Sequence, residues 1–565
     1  MGKIGLRSLL SVSFDSSDLA IISFVIPILA FSCQLLAAPP DAGQILRDTQ
    51  QPVSPDQSPA PEIIEPAKPA AVPANTTSQE VRVKVTGFTF TGNTAISEDV
   101  LQTTVADSLN KSLNFGELIG LVDKVEAVYK KAGYFLAQAY IPPQKIKDGI
   151  IEITIAEGRL GEVRLEGESR IKPEIVYGYL DRLPKGSAIK LTDIERQVLL
   201  INDLTGSHVT LDLQASETPN STDVIIAQKA DPLFTGRVEV NNYGLPATGQ
   251  NRIGIYLNAN SPLHLGDRLS GNLLRSDNGD LVSYGLNYDL PVGSLGWRVN
   301  AGVSRSEYTL GDIFKSLNAS GTVESYRAGV SYPFIRSRAK NLSFRLDAIH
   351  NDLVDHYRAI PFDSDKSSNA LAATLSADWQ DSWLGGGFNR IDYTLTSGHL
   401  GLSNSAKQND TLNTEGGYSK ILLTLQRQQY VRPNLVLFTQ LTHQHANDNL
   451  DSSEKFSIGG PSTLPGYATG ETSTDQGTLA KAKLSWHVRD DIYLGAFADY
   501  AFVTFNKYPV VADNHKHFSD AGFSIDWQGP KGLSANAIMA WAITEAPNPT
   551  DNDRPRIWAN LGYNW

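Results

Sequence analysis

His443 and His445 are the pair of side chains whose type and spacing could begin a metal site. They end a strand-like run with no further ligand nearby, so they read as solvated rim residues. Ser, Asp and His recur through the loops without a nucleophile motif, and no Gly-rich phosphate-binding loop is present. The expectation is therefore no catalytic residue, no metal, no cofactor and no enzyme. What stands out instead is FSIGGPSTLPGYATGE, from Phe456 to Glu471. Gly459-Gly460-Pro461 and Pro465-Gly466 make it a built turn, and it fills the longest gap between strand-like runs of the C-terminal part. A loop of this length with defined turn chemistry and an aromatic, Tyr467, reads as functional. Its task depends on the scaffold that holds it.

That scaffold is large. The chain has 565 residues, too many for one ordinary domain, so several units or one large barrel are expected. Only 19% of residues are charged, and 21 Tyr, 8 Trp and 46 Gly suit strands better than helices. A formal net charge of −12 argues against a nucleic-acid partner, which would need a basic footprint.

The single cysteine, Cys33, lies in an N-terminal apolar run. Lys3 and Arg7 precede Leu19 to Leu36, and the small Ala37 and Ala38 follow, so residues 1–38 are expected to be a signal peptide. A lipoprotein signal using Cys33 and a retained helical anchor are the alternatives. After Ala38 no apolar stretch approaches a transmembrane helix, so a mature protein resident in a membrane must be a barrel.

Residues 39–51, PPDAGQILRDTQQ, contain one short helical stretch, with Asp41 as N-cap and Ile45 and Leu46 as its large apolar residues. Such a helix is not stable alone. Residues 52–79 are rich in Pro, Ala, Ser and Thr and read as an extended linker. From there the order strand, helix, helix, strand, strand occurs twice, over 80–158 and 159–231. Two tandem α+β modules are expected.

Helical spacing ends near Pro232. About sixteen strand-like runs of roughly ten residues fill 232–565, the length that crosses an outer membrane when tilted. Leu371, Ala373, Leu375, Ala377 and Trp379 alternate with Ala372, Thr374, Ser376 and Asp378; Ala559, Leu561, Tyr563 and Trp565 alternate with Trp558, Asn560, Gly562 and Asn564. An apolar outer face over a polar lumen predicts a transmembrane antiparallel β-barrel; a soluble sandwich also alternates. Connections after the odd runs are mostly long (306–321, 351–369, 398–416, 445–477, 504–516, 543–555), and those after the even runs are mostly short. Long loops face outward and short turns the periplasm, which places both modules in the periplasm and Phe456–Glu471 in the sixth outer loop. Tyr563 and Trp565 fit an interfacial aromatic girdle.

With these residues the chain resembles the outer-membrane transporters of two-partner secretion, the ShlB/FhaC/HecB haemolysin secretion/activation family. PPDAGQILRDTQQ is similar to the family's plug helix, and YFLAQAYIPPQKIKDGIIEITIAEGR, residues 134–159, to the end of its first POTRA module. FSIGGPSTLPGY resembles the loop-six segment, with Gly459, Gly460, Leu464, Pro465, Gly466 and Tyr467. Phe497-Ala498-Asp499 resembles the Phe-x-Asp-x-Gly motif of the barrel wall. The resemblance implies a plug helix, a linker, two periplasmic POTRA modules and a sixteen-stranded barrel with loop six folded inward. It implies as partners a secreted adhesin-like or haemolysin-like exoprotein, outer-membrane lipid and, during biogenesis, barrel-assembly machinery acting on the aromatic C-terminus.

Two positions depart from the pattern. Leu464-Pro465-Gly466-Tyr467 lacks the arginine usual at the loop-six tip, and Ala501 stands where the wall motif has glycine. An unpaired Asp499 inside a narrow lumen would be costly. Lys481 or Lys483 is the expected substitute, because both share the polar set of their strand; the alternative is a hydrated carboxylate. The expected activity is export of an unfolded exoprotein through the barrel. A barrel-assembly insertase of the same superfamily and a passive porin are the rival readings.

Overall fold

The computed structural model of the chain describes residues 39–50, 63–64, 82–218, 221–360, 362–545 and 555–565. The signal peptide expected over 1–38, with Cys33, and nearly all of the linker expected over 52–79 lie outside them.

Each module is a two-layer unit with its own core. In the first, the helices Glu98–Val105 and Phe115–Lys131 cover a sheet of Gly87–Thr91, Ile150–Ala156 and Gln138–Tyr140 in that order. Asn114 starts the longer helix with a reciprocal capping box, its side chain accepting from Glu117 N at 2.8 Å while Glu117 accepts from Asn114 N at 2.8 Å. Leu118, Leu121, Val122, Val125 and Tyr129, at helical spacing, bury against Phe88, Ile151, Ile153 and Ile155. The segment that opens this module is not one strand. Val83–Lys84 turns away to pair with Ser112–Leu113, and Gly87–Thr91 joins the main sheet.

Glu157 ties this module together. Its buried carboxylate accepts the N–H groups of Thr94 at 2.6 Å and Ala95 at 2.7 Å, the Tyr129 hydroxyl at 2.9 Å and the Thr94 hydroxyl. Burial alone pushes the carboxyl up, but these donors outweigh it and hold the group below its usual value of 4.5. A depressed folded pKa means that the contribution is present above the unfolded value and is lost as pH falls through the folded one. Glu157→Gln is therefore expected to destabilise the first module by about 2 kcal/mol at neutral pH and to remove part of its acid sensitivity below about pH 4.5. Hydrogen exchange of the amides in Gly87–Thr91 and Ile150–Ala156, followed against pH, checks both.

The second module repeats the plan. Pro173–Leu180 and Leu191–Asn202 pack Val176, Tyr179, Ile194, Val198 and Ile201 onto Ser207–Ala215, Ser221–Ala230 and Arg159–Gly167. Its sheet carries a fourth strand that the linker supplies: Ile63–Ile64 pairs in parallel with Leu211–Asp212. The composition of 52–79 reads as an extended linker and gives no sign of this strand. A two-residue ladder leaves no hydrophobic period for a sequence to display.

Residues 234–564 form a closed barrel of sixteen strands, in sequence order except that a hairpin of loop six stands outside the wall. All neighbours are antiparallel, and the first strand, Phe234–Asn241, closes on the last, Arg556–Asn564. Leu371 and Leu375 are exposed on the outer face, whereas Asp347, Ser368 and Asp499 are buried on the inner one. Tyr563 stacks on Trp565 with ring centroids 6.0 Å apart. Several strands run well beyond a bilayer: Lys340–Tyr357 and Phe362–Asp381 pair throughout, so the expected loop 351–369 is mostly hairpin. Outside lipid both faces are polar. The alternation fades there while backbone pairing continues.

The second module sits against the turns after even-numbered strands. Arg336 forms a two-pronged pair with Asp203 at 2.9 and 2.7 Å, Arg196 donates to Pro333 O at 3.0 Å, and Arg338 N donates to Glu195 at 2.9 Å. Lys172 N donates to His264 O at 3.0 Å. The modules thus lie on the short-turn side.

Candidate functional site

Two elements occupy the barrel interior, and each follows from local chemistry. The helix Ala42–Thr49 begins at Asp41, whose side chain caps Gln44 N at 3.0 Å. Ile45 and Leu46 are buried among Leu245, Leu281, Tyr308, Val323 and Leu353, from the first outer loop and the inner wall. Charge fixes both ends. Asp41 meets Lys366 at 3.0 Å, and the same ammonium reaches Asp451 at 2.7 Å; Asp48 pairs with Arg252 at 2.8 Å, both side chains less than one-tenth exposed. Ala42 N donates to Asp355 at 2.9 Å.

The helix also holds loop six. Arg47 donates to Lys455 O at 2.9 Å and to Ser473 Oγ at 2.7 Å, Gln44 donates to Gly470 O at 3.3 Å, and Ser452 donates to Asp41 at 2.6 Å. Helix and loop are therefore one hydrogen-bonded assembly.

Loop six folds inward as a hairpin, Phe456–Ile458 pairing with Thr472–Thr474. Gly459 and Gly460 have φ of +103° and +92°, a region that strains any side chain, and so turn the chain into the lumen. At the tip, Leu464 and Tyr467 are fully buried against Leu479, Ala501, Val503 and Phe518. The Tyr467 ring meets Phe518 edge-on with centroids 5.4 Å apart, and its hydroxyl lies 3.0 Å from Ser519 O and 2.8 Å from Thr544 O. Gly466 N donates to Asp520 at 2.6 Å, and Trp558 Nε1 donates to Pro465 O at 2.7 Å.

The two candidate lysines separate. Lys481 Nζ lies 3.8 Å from Asp499 and donates to Ser462 O at 2.8 Å, joining the wall aspartate to the loop. Lys483 instead pairs with Asp526 at 3.0 Å and takes no part at Asp499. Asp499 keeps both oxygens without a hydrogen-bond partner among the described residues, so its link to Lys481 is one of charge alone. Phe497 lies on the same inner row, half-buried, two residues below Asp499. His443 bonds Thr478 Oγ1 at 2.8 Å.

Asp520 and Trp558 were not singled out from sequence. The signal for Trp558 was present: a tryptophan in the lumen-facing set beside Asn560, Gly562 and Asn564 is out of place unless it has a partner. Asp520 lay equally on the inward row of its strand, but nothing local distinguishes it from the other lumen carboxylates.

The haemolysin secretion/activation protein ShlB/FhaC/HecB family matches residues 220–506, and the ShlB-type POTRA domain matches 83–158. The heme/hemopexin transporter protein HuxB of Haemophilus influenzae strain 86-028NP is 24% identical over 540 residues, spanning 92% of this chain and 94% of the relative. The outer membrane transporter CdiB of Escherichia coli is 23% identical over 487 residues, spanning 83% and 80%. Among solved structures, CdiB from Escherichia coli superposes with a TM-score of 0.68 at 18% identity, covering 98% of this chain and all of the other. BamA from Haemophilus ducreyi lacking POTRA domains 1–3 gives 0.51 at 14% identity, covering 86% of this chain. A lipid-facing closed barrel, modules on its short-turn side, and a family match over half the chain lead to one conclusion: this protein belongs to the ShlB/FhaC/HecB family, the outer-membrane transporters of two-partner secretion, with its POTRA modules in the periplasm.

Proposed function

We propose that the modules over 82–230 capture one unfolded secreted polypeptide and that the barrel exports it once the plug helix and loop six move aside. The observation that carries this reading is the coupled plug and loop: a polar lumen is stoppered by an element of the same chain, attached through a linker to the periplasmic modules. Extended backbone can pair with a sheet edge while making little demand on sequence, which suits a client arriving unfolded. In the lumen, rows of Asn, Ser and charged groups keep a passing backbone solvated. Folding of the client outside then biases movement outward without a nucleotide.

One relative's name mentions heme/hemopexin and the other's names no cargo, so the cargo is taken only as a large adhesin-like or haemolysin-like exoprotein. The test is deletion of 82–230. Secretion of the partner exoprotein should fall to background while the barrel still reaches the membrane. Secretion retained by the truncated chain would reject capture by the modules, and a general loss of other outer-membrane proteins would favour an insertase instead.

A further inference from the structure

Asp475 is fully buried at the foot of the loop-six hairpin. Phe456 pairs with Thr474, so Lys455 and Asp475 are the next residues out on the two strands, and their side chains meet at 2.8 Å. The ammonium also donates to Phe505 O at 3.2 Å and to Asn506 Oδ1 at 2.9 Å, which uses all three of its donors. The carboxylate also accepts the N–H of Leu450 at 3.2 Å and of Lys507 at 2.8 Å. A buried pair satisfied in this way holds its surroundings rigidly, and removing one member strands the other charge out of water.

Two of those contacts pin one short segment at both ends. Leu450 N–H and the Lys455 ammonium reach the same carboxylate, so residues 450–455 form an arch clamped by Asp475. The arch is also the seat of the plug helix. Ser452 donates to Asp41, Asp451 shares the Lys366 ammonium with Asp41, and Lys455 O accepts from Arg47. Arch and helix approach so closely that a Cβ on Gly43 would lie 2.5 Å from Ser453 N. The clamp therefore fixes the segment on which both ends of the helix rest.

The remaining contacts come from loop seven, residues 505–514, between the strands Ile492–Thr504 and His515–Gln528. Phe505 O and Asn506 hold Lys455, while Lys507 N–H holds Asp475. Asp475 N donates back to Phe505 O at 3.1 Å. Next to the arch, the Asn449 side chain accepts from Tyr508 N at 2.7 Å and donates to Tyr508 O at 3.1 Å. The base of loop seven is thus built into the clamp. Its tip is not: Tyr508, Val510 and Val511 are 60–64% exposed on the outer side.

We infer that Lys455 and Asp475 are positioning residues for the plug helix, and that loop seven is a handle by which the outside of the cell acts on it. Displacing loop seven takes Phe505 O, Asn506 and Lys507 N–H from the buried pair. The arch then loosens, and the helix loses its seat at Asp41 and at Arg47 together. A helix of eight residues does not persist alone, so loss of the seat is release. For transport, a chain already in the exit keeps the stopper from reseating by holding loop seven aside. This rests on the reading of Ala42–Thr49 as the stopper and adds the residues that hold it and the loop that controls them.

The test uses the full chain carrying Cys33→Ser in planar bilayers. Asp475→Asn should lengthen the time spent open roughly tenfold or more. Arg47→Ala should also open the pore, but the double variant should match Asp475→Asn within about threefold, because the seat of Arg47 is already lost. Biotin on Val510→Cys, loaded with streptavidin from the outer side, should raise open time about threefold or more, while the same load on Ile360→Cys, in a loop outside the clamp, should not. Unchanged open time in Asp475→Asn, a double variant showing the product of the two effects, or any streptavidin pattern other than opening at Val510 alone overturns the inference. The streptavidin arm leaves the clamp intact, so it decides the case even where Asp475→Asn yields no folded barrel. Deletion of 41–50 measured alongside separates the two levels. If the deletion opens the pore and Asp475→Asn does not, the stopper stands and the clamp is rejected; if the deletion changes nothing, the stopper itself falls.

Discussion

Deleting residues 41–50 is expected to raise the ion conductance of the purified protein in planar bilayers severalfold. The helix fills space lined by Leu245, Leu281, Tyr308 and Leu353. A finer version of the experiment tests the lock. Arg252→Ala leaves Asp48 buried without its partner in the docked state but hydrated in the undocked one. Breaking one side of a buried pair costs about 3 kcal/mol or more, roughly a hundredfold in the ratio of docked to released helix. Long-lived open states should therefore appear without any deletion. The helix is only Ala42–Thr49, too short to persist alone, so release and unfolding are one event. Conductance that is unchanged in both variants would show that the helix does not limit the pore.

Replacing Tyr467 with Ala is expected to lower export at least tenfold while heat-modifiable, folded barrel in the membrane falls far less. The ring is fully buried and its hydroxyl is anchored between Ser519 and Thr544. Removing a buried aromatic costs about 3–5 kcal/mol, enough to detach the loop-six tip but not a wall held by sixteen paired strands. Asp520→Ala should act in the same direction and more weakly, because it strips only the acceptor of Gly466 N–H. Comparable loss of insertion and export would instead assign the loop to assembly of the barrel. Since Arg47 bonds two residues of the same loop, the Tyr467 variant should also loosen the plug, and a rise in its conductance would report that coupling.

The resemblance implies an arginine at the loop-six tip, and this chain holds the tip without one. In this chain the cation is on the wall, at Lys481, and the loop answers with a backbone carbonyl at Ser462. A carboxylate two strands further along the wall, Asp520, takes the backbone N–H of Gly466, and Trp558 takes the carbonyl of Pro465. Backbone groups thus replace a long side chain at the tip. Pro465 and Gly466 are held through their backbone, while Leu464 is held by its buried side chain.

Period-two alternation, turn residues and loop lengths were enough to determine the barrel, its strand order, its orientation and the periplasmic side of the modules. Those are local properties: Leu371 and Ala372 face opposite sides because successive strand residues must, whatever the rest of the chain does. The helix around Ile45 and Leu46 was legible through its capping Asp41, and the turn around Tyr467 through its glycine pair; that the loop folds inward was implied only by the family resemblance. Only the tertiary structure decided which lumen groups meet. Lys481 and Lys483 are equivalent by alternation, yet Lys481 approaches Asp499 while Lys483 is taken by Asp526 two strands away. Asp48 finds Arg252, and Ile63–Ile64 finds Leu211–Asp212, across separations that no local pattern encodes. Such pairings depend on how a closed wall brings distant strands and tethered segments within a few ångströms of one another, and that geometry exists only once the chain has closed on itself.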